Sequence, residues 1–302
     1  MEETKIDVSV IIPVYNQTDK LRKCIQGFQE QEFTTDIKWE IIIADDGSED
    51  KIQDDCIIMS VLSQFNIPIN VINSEHCGRA KIRNLAIGEA RGRVLIFCDG
   101  DRIPCKDYIQ RHFDVINKHE KVVSIGNPMD FFGREFLFDE RINIQSRNTN
   151  YFNCISSIFT VHIDESTLTT SSKLAWLALL IGNSAIRKKD LVNIGAFDED
   201  FYAWGFEHFE LGYRLQKLNY RFMLSRDIIN YHLVHKHNAT EMQEGFKKSI
   251  DIISNKHSEI NVKELISFFC GDISIAEYQK AVNDKDIVDA NKRIVNSPWR
   301  ER

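Results

Sequence analysis

The chain has 302 residues, 43% of them hydrophobic and 27% charged, a composition that supports a sizeable folded core. Its net charge of −7 at pH 7 lacks the basic field of a general nucleic-acid binder, and 14 Gly with five Pro are too few for a collagenous or disordered chain. Seven scattered cysteines form no Cys-x-x-Cys pair, which points to a reducing cytosol and away from a disulfide or zinc framework. The charged stretch Glu2 to Lys5 runs straight into an apolar strand without a signal-peptide pattern. The longest interior apolar run, Leu174 to Ile181, is far short of the ~20 residues a membrane span needs. A cytoplasmic protein is expected, with peripheral membrane contact and oligomerisation left open.

From the N-terminus the pattern alternates between two periods, the mark of βα units. Val8 to Ile12 reads as a strand, and Leu21, Cys24, Ile25 and Phe28 follow at helical spacing behind an Asn16 or Thr18 cap. Ile41 to Ala44 is a second strand, and Ile57, Ile58, Val61, Leu62 and Phe65 form a second helix face. Ile69 to Ile72 is a third strand, followed by a helix carrying Ile82, Leu85, Ala86 and Ala90. Val94 to Cys98 is a fourth. Continuous apolar strands separated by helices imply a mostly parallel, Rossmann-like sheet with helices on both faces. Residues 127–172 break the pattern with Phe131, Phe132, Phe136, Phe138 and Tyr151, and read as an excursion over the nucleotide core. Regularity returns at Leu174, and after about residue 240 a helical extension carries Ile250, Ile253, Leu265 and Phe268 as apolar points. The expected division is 1–240, split at 126/127 into a nucleotide half and an acceptor half, and 241–302.

Ligands of such sheets bind beyond the carboxyl ends of the strands. Three of those ends are polar here: Pro13 to Asn16, Asp45 to Ser48 and Asp99 to Asp101. A Gly-x-Gly-x-x-Gly fingerprint, a Walker loop and a Gly-x-Ser-x-Gly elbow are all missing, so a glycine-rich cradle does not neutralise phosphate. A divalent metal held by carboxylates is the natural alternative. In Asp99-Gly100-Asp101 the small middle residue lets two carboxylates turn toward one point, which suits Mg²⁺ or Mn²⁺.

Taken together, the motifs Val10 to Asn16, Ile43 to Ser48, Gly78 to Asn84, Leu95 to Asp101, Gly182-Asn183, Gly195 to Glu199 and Trp204 to Arg214 resemble the family 2 glycosyltransferases of the GT-A fold, over roughly residues 6 to 238. The later box resembles the Trp-Gly-x-Glu-Asp segment of galactosyltransferase-like and chondroitin-polymerase-like enzymes. The resemblance implies an inverting, metal-dependent transfer from a UDP-sugar to a hydroxyl of a glycan, with a peptide or thiol as further options. It implies that Asp46 hydrogen-bonds uracil, that Pro13, Val14 and Tyr15 line the base pocket, and that Arg83 meets the nucleotide. Asp99 and Gly100 would face the ribose and metal, Asp101 would ligate Mn²⁺ or Mg²⁺, and His232 would join it, with His235 and His237 as rivals. Glu207 would lie near the transferred sugar or acceptor, and the adjacent aromatics Trp204 and Phe206 offer a sugar-stacking wall from at least one of them, Trp204 being the expected donor-site residue.

At one position the chain departs from that pattern: His208 stands where the related box has Asp, the usual base. Imidazole is suited to the task, with an unperturbed pKa of ~6.5. On a helix Glu207 and His208 would point about 100° apart, so only one is expected to reach the acceptor proton. We expect His208 to be the base and Glu207 to orient the donor sugar or the acceptor. The same departure keeps a catalytically weak sugar-nucleotide-binding protein as the alternative. A sugar nucleotidyltransferase is disfavoured by the missing glycine-rich N-terminal loop.

Overall fold

Runs of apolar, β-branched residues become strands β1 (Val8–Val14), β2 (Trp39–Asp45), β3 (Ile69–Asn73) and β4 (Val94–Cys98), at the four expected places. Between them lie α1 (Thr18–Gln29), α2 (Cys56–Leu62) and α3 (Arg79–Glu89). The structure is a computed structural model and describes residues 5–131, 152–154 (backbone only), 170–203, 205–235 and 238–285. Phe132, Phe136, Phe138, Tyr151, Trp204 and His237 therefore lie outside the described residues.

After β4 come β5 (Arg102–Pro104), α4 (Tyr108–Lys118), β6 (Val122–Phe131), β7 (Phe152–Cys154) and β8 (Asn183–Arg187). They are followed by α5 (Lys188–Asn193), α6 (Glu207–Lys217), β9 (Arg221–Leu233), α7 (Ala239–Lys256), α8 (Val262–Phe269) and α9 (Ile275–Ala281). The strands run in the order β3-β2-β1-β4-β8-β6-β9-β5, and β7 pairs with β6. The first four strands are mutually parallel. Beyond them β8 is antiparallel to both β4 and β6, β9 is parallel to β6, and β5 is antiparallel to β9.

Alternation along β1 divides the core between the two faces of the sheet. Val8, Val10, Ile12 and Val14 join α1, α2 and α4 in one apolar cluster. Ile11 and Ile42 face the other, with Ala86 of α3 and the buried face of α6. Helices α7–α9 bury Phe246, Ile250, Ile253, Leu265, Phe268, Phe269, Ile275 and Tyr278 in that second cluster, so the C-terminal helices share the core of the sheet. No helix among the described residues is long and apolar enough to cross a membrane.

Local details differ from the sequence reading. The α1 cap is Gln17, without a side-chain hydrogen bond; Asn16 adopts φ +51°, and its Oδ1 accepts from the Glu49 amide instead. Ile57 and Leu85, placed on apolar helix faces, are 52% and 40% exposed. Each neighbours the buried stripe of its helix without belonging to it.

Candidate active site

The carboxyl ends of β1, β2 and β4 open on one cleft of about 680 Å³. Pro13, Val14, Tyr15 and Asp46 line one end, Asp99, Gly100, Asp101 and Arg102 the middle, and Tyr202, Ala203 and the first turns of α7 the far wall. The α7 residues that face it, Glu241, Glu244, Gly245 and Lys248, are spaced three and four apart and so share one side of the helix. The far wall thus includes part of the C-terminal segment.

At the β1–β2 end, Asp46 organises the turn into α3. Its Oδ1 accepts from the Cys77 and Gly78 amides at 2.7 and 3.2 Å, and its Oδ2 lies 3.0 Å from His76 Nδ1. Gly78 has φ +89°, and a Cβ there would come 2.7 Å from the Tyr202 carbonyl oxygen, so this turn requires glycine. Tyr15, 45% exposed, stacks on the His76 ring with centroids 4.4 Å apart. An aromatic pair and a buried acid therefore flank one pocket, a setting suited to a planar polar ring.

In the middle of the cleft, Asp101 meets two histidines delivered by the end of β9. Its Oδ2 lies 3.5 Å from His232 Nε2 and 3.2 Å from His235 Nε2, and the three possible ligand atoms lie within 4.8 Å of one another. Burial would raise the Asp101 carboxyl, but the two imidazoles outweigh it and hold the group well below the usual carboxylate range. The cluster therefore brings in His235 together with His232, where the sequence treated them as rivals. On its other edge His232 Nδ1 lies 2.7 Å from Asp130 Oδ1. One carboxylate oxygen and two imidazole nitrogens fit a divalent transition ion, and their place in the cleft leaves room for further oxygen ligands.

Asp99 turns elsewhere. Its Oδ1 accepts from Arg83 at 2.8 Å and its Oδ2 lies 3.5 Å from Arg102 Nε. A Cβ on Gly182 would collide with that carboxylate, so the bare backbone there lets Asp99 lie against the arginines. Arg83, 3% exposed, also gives Nη1 to Glu207 Oε1 at 2.9 Å. Its charge is thus shared between two acids, although its guanidinium still lines the cleft. Removing one side of a buried ion pair leaves the other uncompensated, so Arg83→Ala should destabilise the fold by about 3–5 kcal/mol in urea unfolding.

Glu207 and His208 open α6 behind Arg83, and neither is among the residues lining the cleft. Instead of diverging, their side chains meet, with His208 Nδ1 3.5 Å from Glu207 Oε1. The 100° spacing applies along a regular helix, whereas Glu207 is the first helical residue, behind a left-handed Phe206 (φ +71°). Burial opposes ionisation of Glu207, but His208 and Arg83 outweigh it and hold the carboxyl far below its ordinary value. Among the described residues, four buried polar side-chain atoms lack hydrogen-bond partners: Arg83 Nε, Arg102 Nε, Glu207 Oε2 and His208 Nδ1. Buried atoms left this way mark places where a fold keeps polarity for chemistry or a ligand.

The structure thus brings Pro13, Val14, Tyr15, Asp46, Arg83, Asp99, Gly100, Asp101 and His232 to one cleft, with Glu207 and His208 behind its arginine wall. It does not bring Asp99 into the Asp101–His232–His235 cluster. Sequence reasoning missed His76, Arg102, Asp130 and the α7 wall, none of which carries a motif of its own.

Residues 9–195 match the profile of Glycosyl transferase family 2. A Bacillus subtilis (strain 168) protein described as the uncharacterized glycosyltransferase YfnE is 26% identical over 300 residues, covering 87% of this chain and 74% of its own length. Escherichia coli chondroitin synthase is 26% identical over 266 residues, which cover 82% of this chain and 38% of that protein. Among solved structures, S. aureus TarS 1-349 in complex with UDP-GlcNAc superposes with a TM-score of 0.55 at 19% identity, over 83% of this chain and 67% of the other. GalNAc-T7 with UDP, GalNAc and Mn²⁺ gives 0.57 at 14% identity, over 95% and 56%. The chain spans well under half of the chondroitin synthase, and 40% of the chain in another TarS crystal structure. The structural likenesses show the fold, the GT-A arrangement expected from the sequence.

Proposed function

Because the chain belongs to glycosyl transferase family 2, we propose that it is an inverting, metal-dependent transferase moving a sugar from a UDP-sugar to an acceptor hydroxyl. The observation that carries this reading is the Asp101–His232–His235 cluster inside the cleft that Pro13, Tyr15 and Asp46 also line. A metal-type donor set beside an aromatic and acidic pocket suits a nucleoside diphosphate better than either feature suits anything alone. The UDP and UDP-GlcNAc complexes of TarS, and the UDP and Mn²⁺ of GalNAc-T7, support the same donor class and a divalent ion.

In this reading Tyr15, with Pro13 and Val14, packs against uracil, and the Asp46 edge of the turn accepts from it. Asp99 and Gly100 lie against the ribose. Asp101, His232 and His235 would hold the ion, which would supply positive charge against the departing diphosphate. Arg83 and Arg102 add fixed positive potential from beneath. His208 takes the acceptor proton while Glu207 fixes the imidazole from behind. Residues 1–126 serve as the nucleotide half and 127–240 as the acceptor half, with α7 closing the acceptor side. A reducing, cytoplasmic location suits seven scattered cysteines that form no Cys-x-x-Cys pair.

The test is UDP release from a panel of UDP-sugars in the presence of Mn²⁺. Turnover with at least one donor is expected; binding of UDP without release from any donor would favour a sugar-nucleotide-binding protein instead. The two imidazoles also set the choice of ion, since nitrogen donors favour transition metals over Mg²⁺. After EDTA treatment, Mn²⁺ should bind at least about tenfold more tightly than Mg²⁺ by calorimetry.

A further inference from the structure

We infer that Asp130 is a positioning residue for the metal site, holding the His232 ring so that its Nε2 faces the ion. The inference rests on the metal site proposed above and goes beyond its ligands. Strands β6 and β9 are parallel, and their register places Asp130 directly beside His232. From there Asp130 Oδ1 reaches His232 Nδ1 at 2.7 Å, while Nε2 on the far edge of the ring lies 3.5 Å from Asp101 Oδ2. The imidazole is thus held between two half-buried carboxylates on opposite edges, one on the neighbouring strand and one in the cleft.

The chemistry of the ring makes that placement directional. An ionised carboxylate only accepts, so it keeps a proton on Nδ1. In the neutral imidazole the lone pair is then on Nε2, the nitrogen that faces Asp101. Without Asp130 the ring could flip, or carry its proton on the nitrogen needed by the ion. The contact also lies across two strands rather than within a loop, so the orientation is built into the sheet. Arg102 stands on the opposite side of His232 through the β5–β9 register, and its positive charge would repel an ion that drifted toward it.

The experiment compares Asp130→Asn, Asp130→Glu and His232→Ala with the parent protein. Mn²⁺ alone is titrated by calorimetry, and UDP is titrated separately in EDTA. Asp130→Asn should bind Mn²⁺ about 10- to 100-fold more weakly, the usual cost of losing an outer-shell partner. UDP affinity in EDTA should stay within about twofold, and Asp130→Glu, which keeps the carboxylate, should recover most of the Mn²⁺ affinity. Asn binding Mn²⁺ as tightly as the parent overturns the inference, and so does an equal loss of Mn²⁺ and UDP binding, which marks a structural role. Undiminished Mn²⁺ binding by His232→Ala would instead remove the metal site itself.

Discussion

Replacing Asp101 with alanine should leave the protein folded and lower turnover by on the order of 10²–10⁴. The side chain sits at the end of the short β4–β5 turn, where it supports the ligand cluster more than the core. It is the cluster's one carboxylate, and its loss leaves two neutral donors that hold a divalent ion weakly. EDTA should reproduce the loss in the parent protein, and added Mn²⁺ should restore the parent but not Asp101→Ala. UDP release, with circular dichroism as the folding control, reads both outcomes. Full activity in the variant would sink the metal assignment.

Asp99 provides the contrast within the same tripeptide. Its carboxylate is held by Arg83 and Arg102, away from the cluster. Asp99→Ala should therefore keep Mn²⁺ affinity within a few-fold and lose stability instead, since it strips an acid from a buried arginine. Equal loss of Mn²⁺ binding in the Asp99 and Asp101 variants would put both carboxylates on the ion.

What the sequence made legible was local. Four apolar runs located β1 to β4, and the polar ends of β1, β2 and β4 the mouth of the cleft; those three strands are buried on both faces, and such a strand writes itself as an unbroken apolar string. The same logic could not reach β9. Its half-exposed run, Arg221 to Leu233, lacks that signature, yet it carries His232 to Asp101 across more than a hundred residues of chain. Asp130 is legible only through the β6–β9 register, which is a tertiary fact. The α7 wall was hidden for a related reason. Its cleft stripe mixes Glu241, Glu244, Gly245 and Lys248, and in sequence such a stripe reads as an ordinary solvated face. Glu207 and His208 were found by position in a motif, but their mutual contact depends on where the helix begins.

His208→Ala should lower kcat by on the order of 10²–10⁴ while donor affinity stays near the parent value. The argument begins with Glu207. Its carboxyl is held far below the usual range by His208 and Arg83, so it is ionised throughout the neutral region and is a poor proton acceptor there. His208 has the complementary role: Nδ1 faces that carboxylate at 3.5 Å, and its side chain remains 18% exposed. An acid beside an imidazole stabilises the cation formed when a proton is taken. Activity should then require the neutral imidazole, so kcat falls as pH drops, and this acid limb should vanish in His208→Ala. Glu207→Gln keeps the imidazole, so its acid limb should persist. It should also cost stability, because Arg83 loses one of its two acids. The measurement is kcat against pH for the three proteins, with UDP affinity as the control. An acid limb that disappears in Glu207→Gln and survives in an active His208→Ala exchanges the two roles, making the buried glutamate the base and the histidine its support.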